Sequence, residues 1–207
     1  MIEAAVNLGF ECLGFADHFS PRSSPWLYLG CYLTTRDVKP YSECLRELRV
    51  RYQDTTKIMV GLEIYAIGAA VMGLPFDELQ EADFLVFEDI HEDADPILTL
   101  RRVRTALPTT VIGLAHCDFS RVNTKSLIPA LQETDVFVEV NTAYMQYYRG
   151  AEEVFQRLAH TSVLIYIGSD AHTTADIRKV DDAEDFVLRL GLDHKVCKLV
   201  ELLSRRV

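Results

Sequence analysis

The chain has 207 residues, 49% of them apolar, enough to bury one substantial core. Its 21 basic and 31 acidic residues give a net charge of −10, which argues against general attraction to nucleic-acid phosphates but leaves room for a local basic pocket. Five widely spaced cysteines, Cys12, Cys31, Cys44, Cys117 and Cys197, show no C-x-x-C spacing, so neither a disulfide framework nor a zinc ribbon is expected. With no apolar run long enough to span a bilayer and no secretory leader pattern, the sequence reads as one soluble, cytoplasmic domain over 1–207.

Met1 to Leu8 reads as a short helix closed by Gly9, and Cys12 to Ala16 as a strand ending at Asp17-His18. Phe19 to Thr35 has no periodicity and reads as a long loop. A helix capped by Asp37 or Ser42 runs through Leu45, Leu48 and Tyr52, and Lys57 to Tyr65 is the second strand. Glu63 stands out there, because a carboxylate within an apolar strand is costly unless paired or bound to metal. The unit then recurs. A helix at Pro75–Ala82 precedes the strand Asp83–Phe87, which leads to Glu88-Asp89-Ile90-His91; a helix at Pro96–Leu107 precedes the strand Thr110–Ala115, which ends at His116-Cys117-Asp118. Leu127–Gln132 is helical, Asp135–Val140 is a strand ending at Asn141-Thr142, and Val154–His160 is helical. Ser162–Ile167 is the last strand, delivering Gly168-Ser169-Asp170-Ala171-His172, and helices are expected over Ala175–Leu190 and His194–Leu203.

Six strands alternating with helices imply parallel pairing and right-handed crossovers. The polar strand ends fall at 18, 63, 91, 116, 141 and 172, separated by 45, 28, 25, 25 and 31 residues. A βα unit of an eight-fold barrel averages about 30 residues, so the spacing favours a barrel and puts the polar residues on its carboxyl-end face, where barrel active sites are built. Four of the six histidines, His18, His91, His116 and His172, share that rim with Glu63 and Asp170. Imidazole and carboxylate together suit zinc, manganese or iron.

The ordered segments Leu13-Gly-Phe-Ala-Asp-His18, Gly61-Leu-Glu63, Asp83 followed by His91, His116-Cys-Asp118, Glu139-Val-Asn-Thr142 and Gly168-Ser-Asp-Ala-His172 resemble the motifs of the PHP (polymerase and histidinol phosphatase) superfamily, in its histidinol-phosphatase-like and YcdX-like branch. The resemblance implies a distorted (β/α)7 TIM-like barrel holding two or three divalent ions and hydrolysing phosphate esters. It also implies that Glu63, His91 and His116 hold one metal, that Glu63 bridges to a second bound by Asp170, and that His18 and His172 serve a third. Arg121 resembles the family's phosphate-contacting arginine, with Arg22 and Arg178 as weaker candidates. One departure is large: the family's opening strand, with its His-x-His pair, is not in this sequence, which begins with what reads as the following helix.

The expected function is metal-dependent hydrolysis of a small phosphomonoester by metal-activated water, with Glu63, His91, His116, Asp170 and His172 as the catalytic group. Two alternatives stay open: a degenerate, noncatalytic barrel or subunit, and a phosphodiesterase or exonuclease of the same superfamily. A barrel seam lacking its first strand would invite pairing with a second copy of the chain.

Overall fold

The computed structural model describes residues 1–20, 32–65 and 74–204. Within them lie six strands: β1 (Cys12–Phe19), β2 (Lys57–Tyr65), β3 (Phe84–Glu88), β4 (Val111–Leu114), β5 (Val136–Asn141) and β6 (Ile165–Gly168). The helices are α1 (Ile2–Asn7), α2 (Thr35–Arg51), α3 (Phe76–Leu79), α4 (Pro96–Ala106), α5 (Thr124–Thr134), α6 (Met145–Arg149), α7 (Glu152–Leu158), α8 (Asp181–Arg189) and α9 (Leu199–Ser204). All strand pairs are parallel, in the order β1-β2-β3-β4-β5-β6. The seven-strand count implied by the resemblance is not met among the described residues, where β1 and β6 are the edges of one sheet.

Each strand reads as a nearly unbroken apolar run because both faces of a parallel sheet are covered. On one face, the helices enclose the larger core of Leu62, Ile64, Leu85, Phe87, Leu114, Val138 and their neighbours. The other face is concave and carries residues of one parity: Met59, Gly61 and Glu63 on β2, Phe84, Val86 and Glu88 on β3, Phe137 and Glu139 on β5. Its amino-end half is apolar, with Met59, Phe84, Val86, Val111 and Phe137 packed around Cys197, Leu199 and Leu202 from the end of the chain. Its carboxyl-end half is polar. The sheet curls enough for its two edges to face one another there, with the His18 and His172 rings 6.5 Å apart.

Local chemistry explains several boundaries. Thr34 and Asp37 form a capping box for α2, so Asp37 helps to start the helix, while Ser42 is buried within it. β1 continues through Asp17 and His18 to Phe19, where Leu33 forms a parallel bridge. The helix expected from Ala175 begins at Asp181, because Asp176 accepts hydrogen bonds from Thr173 N (3.1 Å) and Thr173 Oγ1 (2.6 Å) and holds the preceding residues in turns. The helix expected over 194–203 is likewise divided: Cys197 N donates to Ile165 O at 2.9 Å, so Val196 extends the edge of β6 before α9 begins. Among the described residues the four cysteines are free thiols, and no helix is long and apolar enough to cross a membrane.

Candidate metal centre

Register brings the first three donors together. His18 on β1 is the direct partner of Glu63 on β2, and Glu63 is the partner of Val86 on β3. Glu88 lies two residues beyond Val86 and therefore on the same concave face. His18 Nδ1 lies 3.6 Å from Glu63 Oε2 and 3.3 Å from Glu88 Oε1. Among the described residues, these three side chains form the group whose donor atoms all fall within 4.8 Å of one another.

Both carboxylates are buried, Glu63 at 7% exposure and Glu88 at 5%. The approach of His18 Nδ1 to Glu88 Oε1 does not have hydrogen-bond geometry, and both atoms are buried without a hydrogen bond. The pairing with Glu88, opposed by burial and reinforced by the charge of Glu63, raises the His18 pKa to about 9. Glu139 also faces the cavity. Burial, together with the charge of Glu63, pushes its carboxyl up to about 8.

The other oxygen of Glu63 is engaged. Oε1 lies 3.0 Å from His116 Nε2. The His116 ring stacks on Tyr144, with centroids 4.2 Å apart and planes 18° apart. Burial opposes charge on His116, but the hydrogen bond to Glu63 together with the negative charges of Glu63, Glu139 and Asp89 outweighs it and raises the pKa. Asp89 Oδ1 stands 3.9 Å from His116 Nδ1 and 3.8 Å from His91 Nε2, so it lies between the two rings. His91 is buried, which lowers its pKa, and its Nδ1 accepts a long hydrogen bond of 3.4 Å from Asp118 N. In the neutral ring that contact places the remaining proton on Nε2, toward Asp89.

Three residues of the rim hold left-handed backbone conformations despite carrying side chains: Asp89 (φ 51°), His116 (φ 32°) and Asp170 (φ 46°). Such conformations cost on the order of 1 kcal/mol or more each, and they cluster at functional sites because the surrounding fold imposes them.

The remaining expected residues are more dispersed. Asp170 is partly buried and His172 Nε2 lies 3.4 Å from its Oδ1, with 71% of the His172 side chain exposed. His18, Glu63, Glu139, Tyr166, Asp170 and His172 line one cavity of about 650 Å³ between β1 and β6. Arg121 sits on the rim, 52% exposed, with Nη1 3.2 Å from Glu92 Oε1. Arg178 instead donates to the Leu8 carbonyl at 2.8 Å and lines a different groove with Gly9, Cys12 and Lys57. Arg22 lies outside the described residues. Asp83 lies at the amino end of β3, where it accepts from Val60 N at 2.7 Å and pairs with Arg49.

Sequence reasoning did not assign Glu88 and Asp89 to the site. The signal was present for Glu88, because the alternation Phe84, Val86, Glu88 continues the face that carries Glu63. Asp89 could not have been found in this way, since its orientation depends on a left-handed backbone turn.

A curled parallel sheet with histidine and carboxylate donors crowded at its carboxyl end defines the class: an α/β barrel-type protein with a candidate metal centre at its mouth. More particularly, the fold is that of histidinol phosphatases of known structure. HisK of Listeria monocytogenes, named as a candidate histidinol phosphatase, superposes with a TM-score of 0.60 at 13% identity, covering 88% of this chain and 92% of its own. The histidinol phosphate phosphatase of Lactococcus lactis subsp. lactis, solved with zinc, L-histidinol and phosphate, gives 0.58 at 16% identity, covering 92% of this chain and 86% of its own. No family model and no curated protein matches the sequence. The PHP resemblance read from the motifs is thus matched by the fold.

Proposed function

We propose that this protein is a metal-dependent phosphoesterase that hydrolyses a small phosphomonoester of the histidinol-phosphate type. The observation that carries the reading is the convergence of His18, Glu63 and Glu88, with the buried His18 Nδ1 and Glu88 Oε1 making no hydrogen bond, beside a cavity of about 650 Å³ at the carboxyl ends of parallel strands. Unpartnered buried imidazole and carboxylate atoms fit a divalent ion, and the zinc of the Lactococcus lactis phosphatase supports the same reading.

His18 and Glu63 would hold the metal together with the carboxylates around them. When bound, a divalent ion lowers the pKa of a coordinated water toward neutrality and offsets charge on the phosphate oxygens. The protein supplies orientation: Glu63 fixes the His116 ring through Nε2, and Tyr144 stacked on that ring prevents it from turning. Arg121, released from its exposed pair with Glu92, would contact a phosphate oxygen; such surface pairs are worth about 0–1 kcal/mol, so the exchange is inexpensive. His172, beside Asp170 at the mouth, would deliver a proton to the leaving alcohol oxygen as the P–O bond breaks.

The test is hydrolysis of phosphomonoesters, including histidinol phosphate, against a phosphodiester of the same leaving group by zinc- or manganese-loaded protein. Faster release from the monoesters is expected. Equal or faster diester cleavage would move the assignment to the phosphodiesterase class, and no release from either would overturn it.

A further inference from the structure

We propose that His18, Glu63 and Glu88 form one complete three-ligand metal site built on three adjacent strands, with Glu88 as a ligand that none of the sequence motifs marks. This deepens the metal-dependent reading and rests on it.

The donor spacing matches what a small divalent ion requires. Zinc bonds to nitrogen and oxygen of about 2.0–2.1 Å in tetrahedral geometry hold neighbouring donors about 3.3–3.4 Å apart. The two separations from His18 Nδ1 are 3.3 Å to Glu88 and 3.6 Å to Glu63. The strands themselves account for the spacing, because neighbouring strands run about 4.8 Å apart and the three side chains rise from one face at the same end.

Charge points the same way. Two buried carboxylates meeting one imidazole are costly unless a cation joins them. Among the described residues, the ion pairs that reach Glu63 and Glu88 come from histidines alone. Two carboxylates and a neutral imidazole balance one divalent ion. Glu63 is also fixed on its far side, since His116 occupies Oε1 and leaves Oε2 directed at His18. That second bond orients the carboxylate as outer partners orient ligands in metal sites generally. His18 and Glu63 both line the cavity, so an ion held by the trio would adjoin it.

His91 contrasts with this trio. Its Nδ1 accepts from Asp118 N, whereas the buried His18 Nδ1 makes no hydrogen bond.

The test compares chelator-stripped wild-type protein with Glu88→Gln, which keeps shape and loses charge, and Glu88→Asp, which keeps charge and retracts it by one methylene. Zinc affinity is read by calorimetry, the coordination sphere by the visible absorption of bound cobalt, and the fold by circular dichroism. Glu88→Gln is expected to weaken zinc at least about 10-fold and to change the cobalt spectrum, with Glu88→Asp intermediate and both variants folded. Wild-type affinity and an unchanged cobalt spectrum in a folded Glu88→Gln would overturn the assignment of Glu88 while leaving metal-dependent hydrolysis standing. Absence of zinc and cobalt binding in the wild-type protein would overturn both. If Glu88→Gln does not fold, Glu88→Asp decides by the same criteria.

Discussion

Replacing Gly61 with alanine should loosen the floor beneath the candidate metal centre. A β-carbon at Gly61 would lie 2.5 Å from Phe84 Cε1 and Cε2 and closer still to Cζ. Carbon atoms pack at about 3.5–4.0 Å, so the overlap exceeds 1 Å and the ring has to move. Phe84 is 6% exposed and belongs to the concave core, so the cost falls in the overpacking range of about 1–3 kcal/mol, and we expect the upper half. For a chain of this size that corresponds to roughly 4–12 °C in melting temperature. The assay is chemical and thermal denaturation of Gly61→Ala, Phe84→Leu and the double variant. Phe84→Leu should remove part of the clash, giving a favourable coupling of about 1 kcal/mol or more in the double-mutant cycle. Glu63 stands two residues beyond Gly61 on the same face, so zinc affinity should fall with stability. A Gly61→Ala protein within about 0.5 kcal/mol of wild type, or a coupling near zero, would refute the packing argument.

The remaining expectations concern charge. In metal-free protein, His18 is raised from 6.5 to about 9, so its stabilising proton is fully present below pH 6.5 and is lost as pH rises through 9. Glu139, raised from 4.5 to about 8, acts with the same sign and loses its contribution as pH rises through 8. The denaturant midpoint of metal-free protein should therefore fall between about pH 6.5 and 9, and saturating zinc should flatten that fall; a midpoint that rises over the window would contradict the argument. Asp83→Ala should cost about 1.5–3 kcal/mol by freeing Val60 N and Arg49, yet leave zinc affinity unchanged, because Asp83 sits at the amino end of the strands; lost zinc affinity would show otherwise. Arg121→Ala should raise KM for a phosphomonoester by about 10-fold or more, whereas Arg178→Ala, which loses only its bond to the Leu8 carbonyl, should leave KM unaltered; equal effects in steady-state kinetics would contradict the placement.

The order of strands was legible because parallel strands are apolar on both faces and stop at polar residues. Glu63 was legible for the same reason, as a charge inside an apolar run. Glu88 closes its strand, where a polar residue is ordinary; alternation with Phe84 and Val86 marks its face, and the register with β2 brings it to His18 and Glu63. The end of the chain was harder to read. Apolar spacing over 194–203 suits a helix, but hydrogen bonding of Cys197 to the edge of β6 and insertion of Leu199 beside Gly14 override that local preference. His172 was expected beside His18, and its ring does lie across the cavity from it; its pairing with Asp170 at the mouth depends on a left-handed Asp170 that no spacing encodes.

Metal dependence is decided by inorganic phosphate release from histidinol phosphate, measured with metal content per chain, before chelation, after chelation and after zinc is returned. Release and bound metal should disappear together and return together. Release that persists in metal-free protein, or bound zinc that restores no release, would contradict it.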